Sequence, residues 1–166
     1  MHFCKKIILE TIYPIIMAKF SISTNISQPL DITWKAYIDP QNMMQWTKYL
    51  EKVEEVSGKF GEVGAIAHLH YLEKGRSYIL EDKLLEYEEG RRILSQVSGQ
   101  GMIIEVETLL NSTKDGTNIS MNWNGTSNSL FTRFILRLMQ KKIAQQAERE
   151  VNTFKELVQT HGAKFP

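Results

Sequence analysis

The side chains in this sequence most suited to metal binding fall on two strand-like segments. His68 and His70 are two residues apart, which on a β-strand places both imidazoles on one face. They could supply two ligands of a zinc site, and Glu105 and Glu107, with the same spacing, could supply the others. In both segments the alternate residues form the more apolar face. We therefore expect these four side chains to point outward and to bind no metal.

A second set of side chains could act in proton transfer. A catalytic acid or base needs a polar group inside an apolar cavity, where its surroundings shift its pKa. Tyr71, Tyr78 and Asp82 are the candidates, joined by His68 if its strand faces the other way. They form no recognisable pair, and the sequence contains no nucleophile motif and no phosphate-binding loop. The sequence therefore assigns no catalytic residue and leaves open whether the protein is an enzyme.

The elements that carry these side chains are mostly strands. Residues 20–27 alternate apolar and polar side chains, which predicts a strand with one buried face. Six further runs are separated by turn signals with no helical pattern between them, which predicts antiparallel pairing. Apolar residues of both parities in the third of these runs predict a bulge at residues 81–83. The six runs are residues 53–60, 65–73, 76–88, 92–98, 102–110 and 117–124.

Helical patterns occur in two other places. Two short helices are expected at residues 30–38 and 41–49, the first beginning after Pro29. From Ser129 onward the apolar spacing changes to three or four residues, which predicts one long amphipathic helix that ends at His161-Gly162. The apolar residues at this spacing are Phe131, Phe134, Ile135, Leu138, Met139, Ile143, Ala147, Val151, Phe154, Leu157 and Val158. The predicted inner stripe is Phe131, Ile135, Leu138, Ile143, Ala147, Val151, Phe154 and Val158.

This order of parts predicts an α+β protein in which the long helix covers the apolar face of the sheet. Such an arrangement can leave a hollow that binds apolar molecules, with methionines as adaptable walls. For each residue, ordinary core packing is the alternative. The predicted cavity lining is Tyr37, Trp46, Tyr71, Tyr78, Met102, Met121, Trp123, Phe131, Phe134 and Leu138.

Several short motifs follow one another in a characteristic order. They are Phe20-Ser21-Ile22, Pro29 to Trp34, Asp39 with Trp46, Val63-Gly64, Leu85 to Ile93, Asp115-Gly116-Thr117 and Phe154 to Leu157. By the order of these motifs, over residues 18–158, the chain resembles the SRPBCC superfamily, which includes the START and Bet v 1-like helix-grip proteins, and within it the polyketide cyclase/dehydrase-like branch. The resemblance implies a curved antiparallel sheet of about seven strands wrapped around the last helix, with two short helices after strand 1.

The resemblance also implies a function. It implies that a small hydrophobic or amphipathic molecule, such as a lipid, binds between the sheet and the last helix without a cofactor. One alternative is a polyketide cyclase/dehydratase-type enzyme acting on an apolar substrate in the same cavity, and another is a chaperone co-activator or other interaction module. A buried ionisable group facing the cavity would favour the enzyme. A filled cavity with an exposed apolar patch would favour the interaction module.

Composition narrows the partners. The chain has 166 residues, is 42% hydrophobic and 23% charged, and has a net charge of +1, so nothing in its charge favours binding to nucleic acid. The densest basic group is Arg133, Arg137, Lys141 and Lys142, which we expect on a solvated helix face. An acidic-lipid surface is the minor alternative for this group.

The remaining expectations concern location and organisation. The single cysteine, Cys4, excludes an internal disulfide and fits a reducing compartment, so we expect a cytoplasmic protein. Residues 1–16 are expected to be an extension, loosely docked, or a misplaced start, because they differ in composition from the rest and Met17 is a natural start. A signal peptide is not expected, because Glu10 and Pro14 interrupt the apolar run that it needs. One domain is expected over residues 17–166, without an integral membrane segment, as a monomer or weak homodimer.

Overall fold

The computed structural model describes residues 18–127 and 129–166, so the expected extension at residues 1–16 lies outside the described residues. Within the described residues, the strands and helices follow one another in the predicted order, which confirms the α+β helix-grip prediction. The elements are β1 (Ala18–Ile26), α1 (Leu30–Ile38), α2 (Pro40–Trp46), β2 (Leu50–Ser57), β3 (Ile66–Glu73), β4 (Arg76–Glu88), β5 (Arg92–Gly99), β6 (Met102–Thr113), β7 (Gly116–Thr126) and α3 (Leu130–His161).

The strands form one antiparallel sheet in the order β1-β7-β6-β5-β4-β3-β2. The first strand lies beside the last, with Phe20 opposite Trp123 and Ile22 opposite Met121. Because directly opposed residues point to the same face, the register fixes one shared apolar face across the sheet. That face is the one against which the three helices pack.

Two details of the strands differ from the prediction. β2 begins at Leu50, three residues earlier than expected, because Leu50 is already buried and extends the pairing with β3. The bulge in β4 lies between Leu84 and Glu86, later than the expected residues 81–83. Its extra residue lets both Leu84 and Tyr87 face inward, which explains why β4 carries apolar residues of both parities.

The two short helices are held by local polar contacts. Asp39 caps α2, since its carboxylate accepts a hydrogen bond from the Gln41 backbone N–H at 2.8 Å, and Pro40 occupies the first turn. α2 ends at Trp46, three residues earlier than expected, and the chain turns into β2 through Tyr49, which has a φ of 67°. The Trp46 side chain is buried and packs against the rings of Tyr37 and Phe154.

The long helix α3 begins and ends as the sequence indicates. The Ser129 hydroxyl caps it by accepting from the Thr132 N–H at 3.3 Å, and Gly162, with a φ of 72°, ends it. Its buried residues are Leu136, Ala147, Val151, Phe154 and Val158. None of the described helices is both long enough and apolar enough to cross a membrane.

The centre of the core lies where α3 meets the two short helices. Phe154 is 1% exposed, and its ring lies 5.5 Å from that of Trp46, 5.7 Å from that of Tyr37 and 6.1 Å from that of Phe165. The buried Asn42 fixes the C-terminal tail, because its side-chain amide donates to the Ala163 carbonyl at 2.9 Å and accepts from the Phe165 N–H at 3.0 Å. This packing holds one end of α3 firmly against α1 and α2.

Candidate functional site

A cavity of about 150 Å³ lies between the sheet and the helices. An engineered apolar cavity of this volume is large enough to bind benzene. Every strand from β3 to β7 and all three described helices contribute to its wall. The lining residues are Tyr37, Met43, Trp46, Thr47, Leu69, Tyr71, Leu80, Asp82, Val97, Ile104, Val106, Met121, Trp123, Ala147, Glu150 and Val151.

A second space of about 110 Å³ adjoins the first, because the two share five lining residues. The second space extends toward Pro40, Phe60 and Ile93, under the start of α2. The site is therefore a pair of small apolar chambers, and the only carboxyl common to both walls belongs to Asp82. The shared residues are Tyr37, Met43, Trp46, Leu69 and Asp82.

Four buried polar atoms in the wall of the first chamber have no hydrogen-bond partner among the described residues. They are the indole nitrogens of Trp46 and Trp123, the Thr47 hydroxyl and Asp82 Oδ1. An unpaired buried polar atom costs about 1–3 kcal/mol. The wall is thus apolar in area but offers both donors and acceptors, which suits a ligand with its own polar group.

Asp82 is the most unusual of these groups. It lies on β4 between Ala67 of β3 and Val97 of β5, so its neighbours on both sides are apolar. Burial raises the pKa of the Asp82 carboxyl above its usual value, and the Ser95 side chain offsets only part of this effect. The carboxyl therefore holds a proton more readily than an exposed aspartate does, which is a property of catalytic acids.

Glu150 is a second carboxyl in the wall, and the sequence interpretation missed it. Its carboxylate accepts hydrogen bonds from the Lys48 N–H at 3.1 Å and from the Gln146 side-chain amide at 3.0 Å. Burial raises the pKa of Glu150 despite these bonds. A signal was present, since Glu150 falls between Ala147 and Val151 on the stripe of α3 that faces the sheet.

The tyrosines of the site are held in their neutral form. The Tyr37 hydroxyl and the Thr108 hydroxyl form a hydrogen bond of 2.7 Å, and burial raises the pKa of Tyr37 to about 12. Tyr71 stacks on Tyr78 with 5.1 Å between ring centroids, and burial raises the pKa of Tyr71 as well. At neutral pH these phenols can donate a hydrogen bond but cannot serve as bases.

Some of the predicted lining residues line the first chamber, and the others lie outside both chamber walls. Tyr37, Trp46, Tyr71, Met121 and Trp123 do line the first chamber. Tyr78 lies beside the chamber through its stack on Tyr71, and Met102, half-buried at the start of β6, is outside both walls.

Phe131, Phe134 and Leu138 are predicted lining residues that the structure places on the outer surface of α3 instead. They are 74%, 54% and 64% exposed, and none of them is in either chamber wall. The predicted stripe stepped five residues from Leu138 to Ile143, and five residues turn a helix by roughly 140° beyond one full revolution. The prediction therefore joined two opposite faces of α3 into one.

The carboxylate beside the two histidines is a different one from those that the sequence suggested. His68 and His70 point away from the cavity, as expected, since Leu69 between them lines it. The carboxylate brought beside them is Glu54 of β2, and ligand atoms of the three residues lie within 4.8 Å of one another.

Among the described residues, these three form a group that could hold a metal ion. Glu107, which the sequence suggested as a ligand, forms an ion pair with Arg92 at 2.8 Å instead. Glu54 already accepts from His70 and from the Lys52 ammonium, each at 2.8 Å. The Lys52 charge beside this carboxylate weakens its attraction for a cation.

Comparison with solved structures places this architecture among known ones. Ara h 8.0201 superposes with a TM-score of 0.71 over 87% of this chain and 99% of its own, at 13% identity. An AHSA1-like protein from Aeromonas hydrophila gives 0.64 over 88% and 95%, at 19% identity. The di-domain ARO/CYC StfQ from the steffimycin biosynthetic pathway gives 0.69 at 7% identity, with 84% of this chain covering 50% of that one.

No family model and no curated protein sequence matches the chain. These three neighbours are 7–19% identical to the chain, and they confirm the fold that the resemblance to the SRPBCC superfamily implied. This protein has the helix-grip fold, and its candidate site is the pair of chambers inside the grip.

Proposed function

We propose that this protein binds a small amphipathic molecule inside the grip, with two apolar parts in the two chambers and a polar group at Asp82. The observation that carries the proposal is the orphaned Asp82 Oδ1, buried where the two apolar chambers meet. A hydrogen-bond donor on the ligand would satisfy this atom. Burial of the apolar parts would supply most of the affinity, at roughly 25 cal/mol per Å².

The structural neighbours support this proposal. They share the helix-grip fold, and one of them is the di-domain ARO/CYC StfQ from the steffimycin biosynthetic pathway. The chamber sizes restrict the ligand to about one aromatic ring per chamber, and because the chambers adjoin, a compact two-ring compound can span the pair. A compact ring compound with a hydroxyl or amine therefore fits better than a long acyl chain.

Naphthol and naphthalene provide a matched test, because they differ by one hydroxyl group. Calorimetric titration of the full chain should show naphthol binding about tenfold or more tightly, since an unpaired buried polar atom costs about 1–3 kcal/mol and the naphthol hydroxyl would pair with Asp82 Oδ1. In Asp82→Leu the preference for naphthol should disappear while naphthalene still binds. Equal affinity for both compounds in the wild-type protein would refute the role proposed for Asp82.

A second candidate function is acid–base catalysis in the same cavity, as in a cyclase or dehydratase. It is favoured by the two carboxyls of raised pKa, Asp82 and Glu150, in one apolar wall. In a dehydration, one of the two carboxyls, as the carboxylate, takes a proton from the carbon next to a carbonyl. The other carboxyl, in its protonated form, gives its proton to the departing hydroxyl, which leaves as water. A carboxyl whose pKa burial raises gives up a proton in this step more readily than an exposed carboxylate, which holds none to give.

The aldol adduct of benzaldehyde and acetone tests this second function, because its dehydration gives an enone with strong ultraviolet absorbance. The full chain should accelerate enone formation, and Asp82→Asn should abolish the acceleration while leaving naphthalene affinity unchanged. An equal rate in Asp82→Asn would exclude Asp82 as the acid. No acceleration by the wild-type protein would leave binding alone as the supported function of the site.

The interaction-module alternative has weaker support. It predicts a filled interior together with an exposed apolar patch. The interior is not filled, because it contains the two chambers. An exposed apolar patch is present on α3, but basic side chains border it, which favours a negatively charged partner.

A further inference from the structure

The first ten residues of α3 expose a contiguous apolar surface. Scattered exposed apolar side chains are ordinary, but a cluster of them marks an interaction site. Half of the exposed large apolar side chains of the described residues fall in this single segment. We call this surface the α3 patch, and its members are Leu130, Phe131, Phe134, Leu138 and Met139.

The α3 patch faces away from the core. Phe131 and Ala147 are sixteen residues apart, so on a regular helix their directions differ by roughly 160°. Ala147 is 4% exposed and lines the cavity, whereas Phe131 is 74% exposed. The first half of α3 is therefore apolar on two opposite faces, and the sheet covers one of them.

Basic side chains border the α3 patch. Arg137 and Lys141 are exposed along one flank of it, and Lys142 lies on the same face one turn beyond Leu138. Among the described residues, none of these three forms an ion pair with a carboxylate. The sequence between Asp115 and Glu148 contains no acidic residue. The exposed face is thus both apolar and uniformly positive.

We propose that the α3 patch docks on an anionic lipid bilayer, with its aromatic and aliphatic side chains in the interface and its basic side chains at the headgroups. An apolar helix face bordered by lysine and arginine is the pattern of interfacial helices. The proposal does not depend on the ligand-binding function, since the patch lies opposite the cavity wall.

A protein partner or a second copy of this chain fits the charge less well. A second copy would bring Arg137, Lys141 and Lys142 against the same three positive charges, which is unfavourable in a self-complementary interface. Anionic lipid supplies the opposite charge over the whole face. Each basic residue near such a surface strengthens binding about fivefold.

Vesicle flotation of the full chain tests the proposal. The protein should float with vesicles that contain one part phosphatidylserine to two parts phosphatidylcholine, and should float weakly with phosphatidylcholine alone. The double variant Lys141→Ala/Lys142→Ala should lose about 30-fold in affinity. Binding should also fall as salt is raised, because screening removes the charge contribution. Equal binding to neutral and anionic vesicles would overturn the proposal.

The matched control for charge is Lys59→Ala/Lys114→Ala, which removes two exposed lysines from distant turns and should leave flotation unchanged. For the apolar part, Phe131→Ser/Leu138→Ser should reduce flotation at least tenfold. Val56→Ser/Val63→Ser, which changes two exposed valines of the sheet region, should not. Equal losses in the test and control variants would overturn the proposal.

Two other occupants of the α3 patch would give distinct results. If the protein sediments as a dimer that Phe131→Ser/Leu138→Ser dissociates, the patch is a contact between copies and the proposal is wrong. If hydrogen exchange shows that the same variant exposes residues 1–17 of the full chain, that segment covers the patch and the proposal is also wrong. Slowed exchange at residues 130–142 on addition of anionic vesicles would support it.

Discussion

Replacing Phe154 with alanine should destabilise the fold severely. Phe154 is 1% exposed and its ring contacts three other aromatic rings, those of Tyr37, Trp46 and Phe165. Truncating a buried phenylalanine costs about 3–5 kcal/mol through lost burial and the cavity that remains. A domain of this size has a total stability of about 5–15 kcal/mol. The variant should therefore lose about a fifth or more of its free energy of unfolding.

Phe131→Ala is the matched control for Phe154→Ala, because it makes the same substitution on the same helix. Phe131 is 74% exposed, and substitutions at such positions change stability by about 0.5 kcal/mol or less. Urea unfolding followed by tryptophan fluorescence should separate the two variants by at least about 2 kcal/mol. In thermal melts, Phe154→Ala should lower Tm by roughly 6–20 °C. An equal loss of stability in the two variants would contradict the assignment of Phe154 to the buried face of α3 and of Phe131 to its exposed face.

Two further predictions concern the site and a turn. Burial raises the folded-state pKa of Asp82, so its contribution favours folding below its ordinary pKa and becomes unfavourable as pH rises through the folded pKa. Asp82→Asn should thus have a higher Tm than the wild-type protein at pH 7, and the difference in Tm should shrink as pH falls toward 4. A difference in Tm that does not change with pH would contradict the burial of the Asp82 carboxyl. Gly116 has a φ of 146°, and a Cβ there would lie 2.1 Å from the Ile26 carbonyl oxygen, whereas Gly75, with a φ of 78°, has open space. Gly116→Ala should therefore cost clearly more than Gly75→Ala, for which about 1 kcal/mol is expected, in the same urea assay.

The sequence predicted well which side chains of the sheet face inward, because alternate residues of a strand point to opposite faces and only two assignments are possible. Leu69 and Tyr71 face the cavity and His68 and His70 face outward, as their polarity indicates. The outcome in α3 was different, because its first half is apolar on two faces and period alone does not say which one the sheet covers. The placement of Phe131 was wrong for this reason.

The polar content of the site was only partly predictable. Asp82 was a candidate from the sequence, since it stands on the inward parity of a strand. Its orphaned oxygen and its position between the two chambers depend on β3, β4, β5 and α2 coming together, which no local pattern reports. Glu150 could have been found, because it interrupts an apolar stripe one residue before Val151.

The central claim is that an apolar molecule binds inside the grip, and titration with a neutral fluorescent probe tests it most directly. Naphthylamine is suitable because its two rings match the two chambers and because, at neutral pH, it carries no charge that would draw it to the basic border of the α3 patch. Met121 lines the first chamber and is 6% exposed, so Met121→Trp should fill that space. Phe131→Ala serves as the control that alters only the outer surface.

We expect saturable binding of one probe per chain, an affinity at least tenfold weaker in Met121→Trp, and an unchanged affinity in Phe131→Ala. A melt of each variant should accompany the titration, so that the loss in Met121→Trp is measured on folded protein. If Met121→Trp is folded and binds the probe as tightly as the wild-type protein does, or if Phe131→Ala abolishes binding, the probe lies outside the chambers and the central claim is wrong.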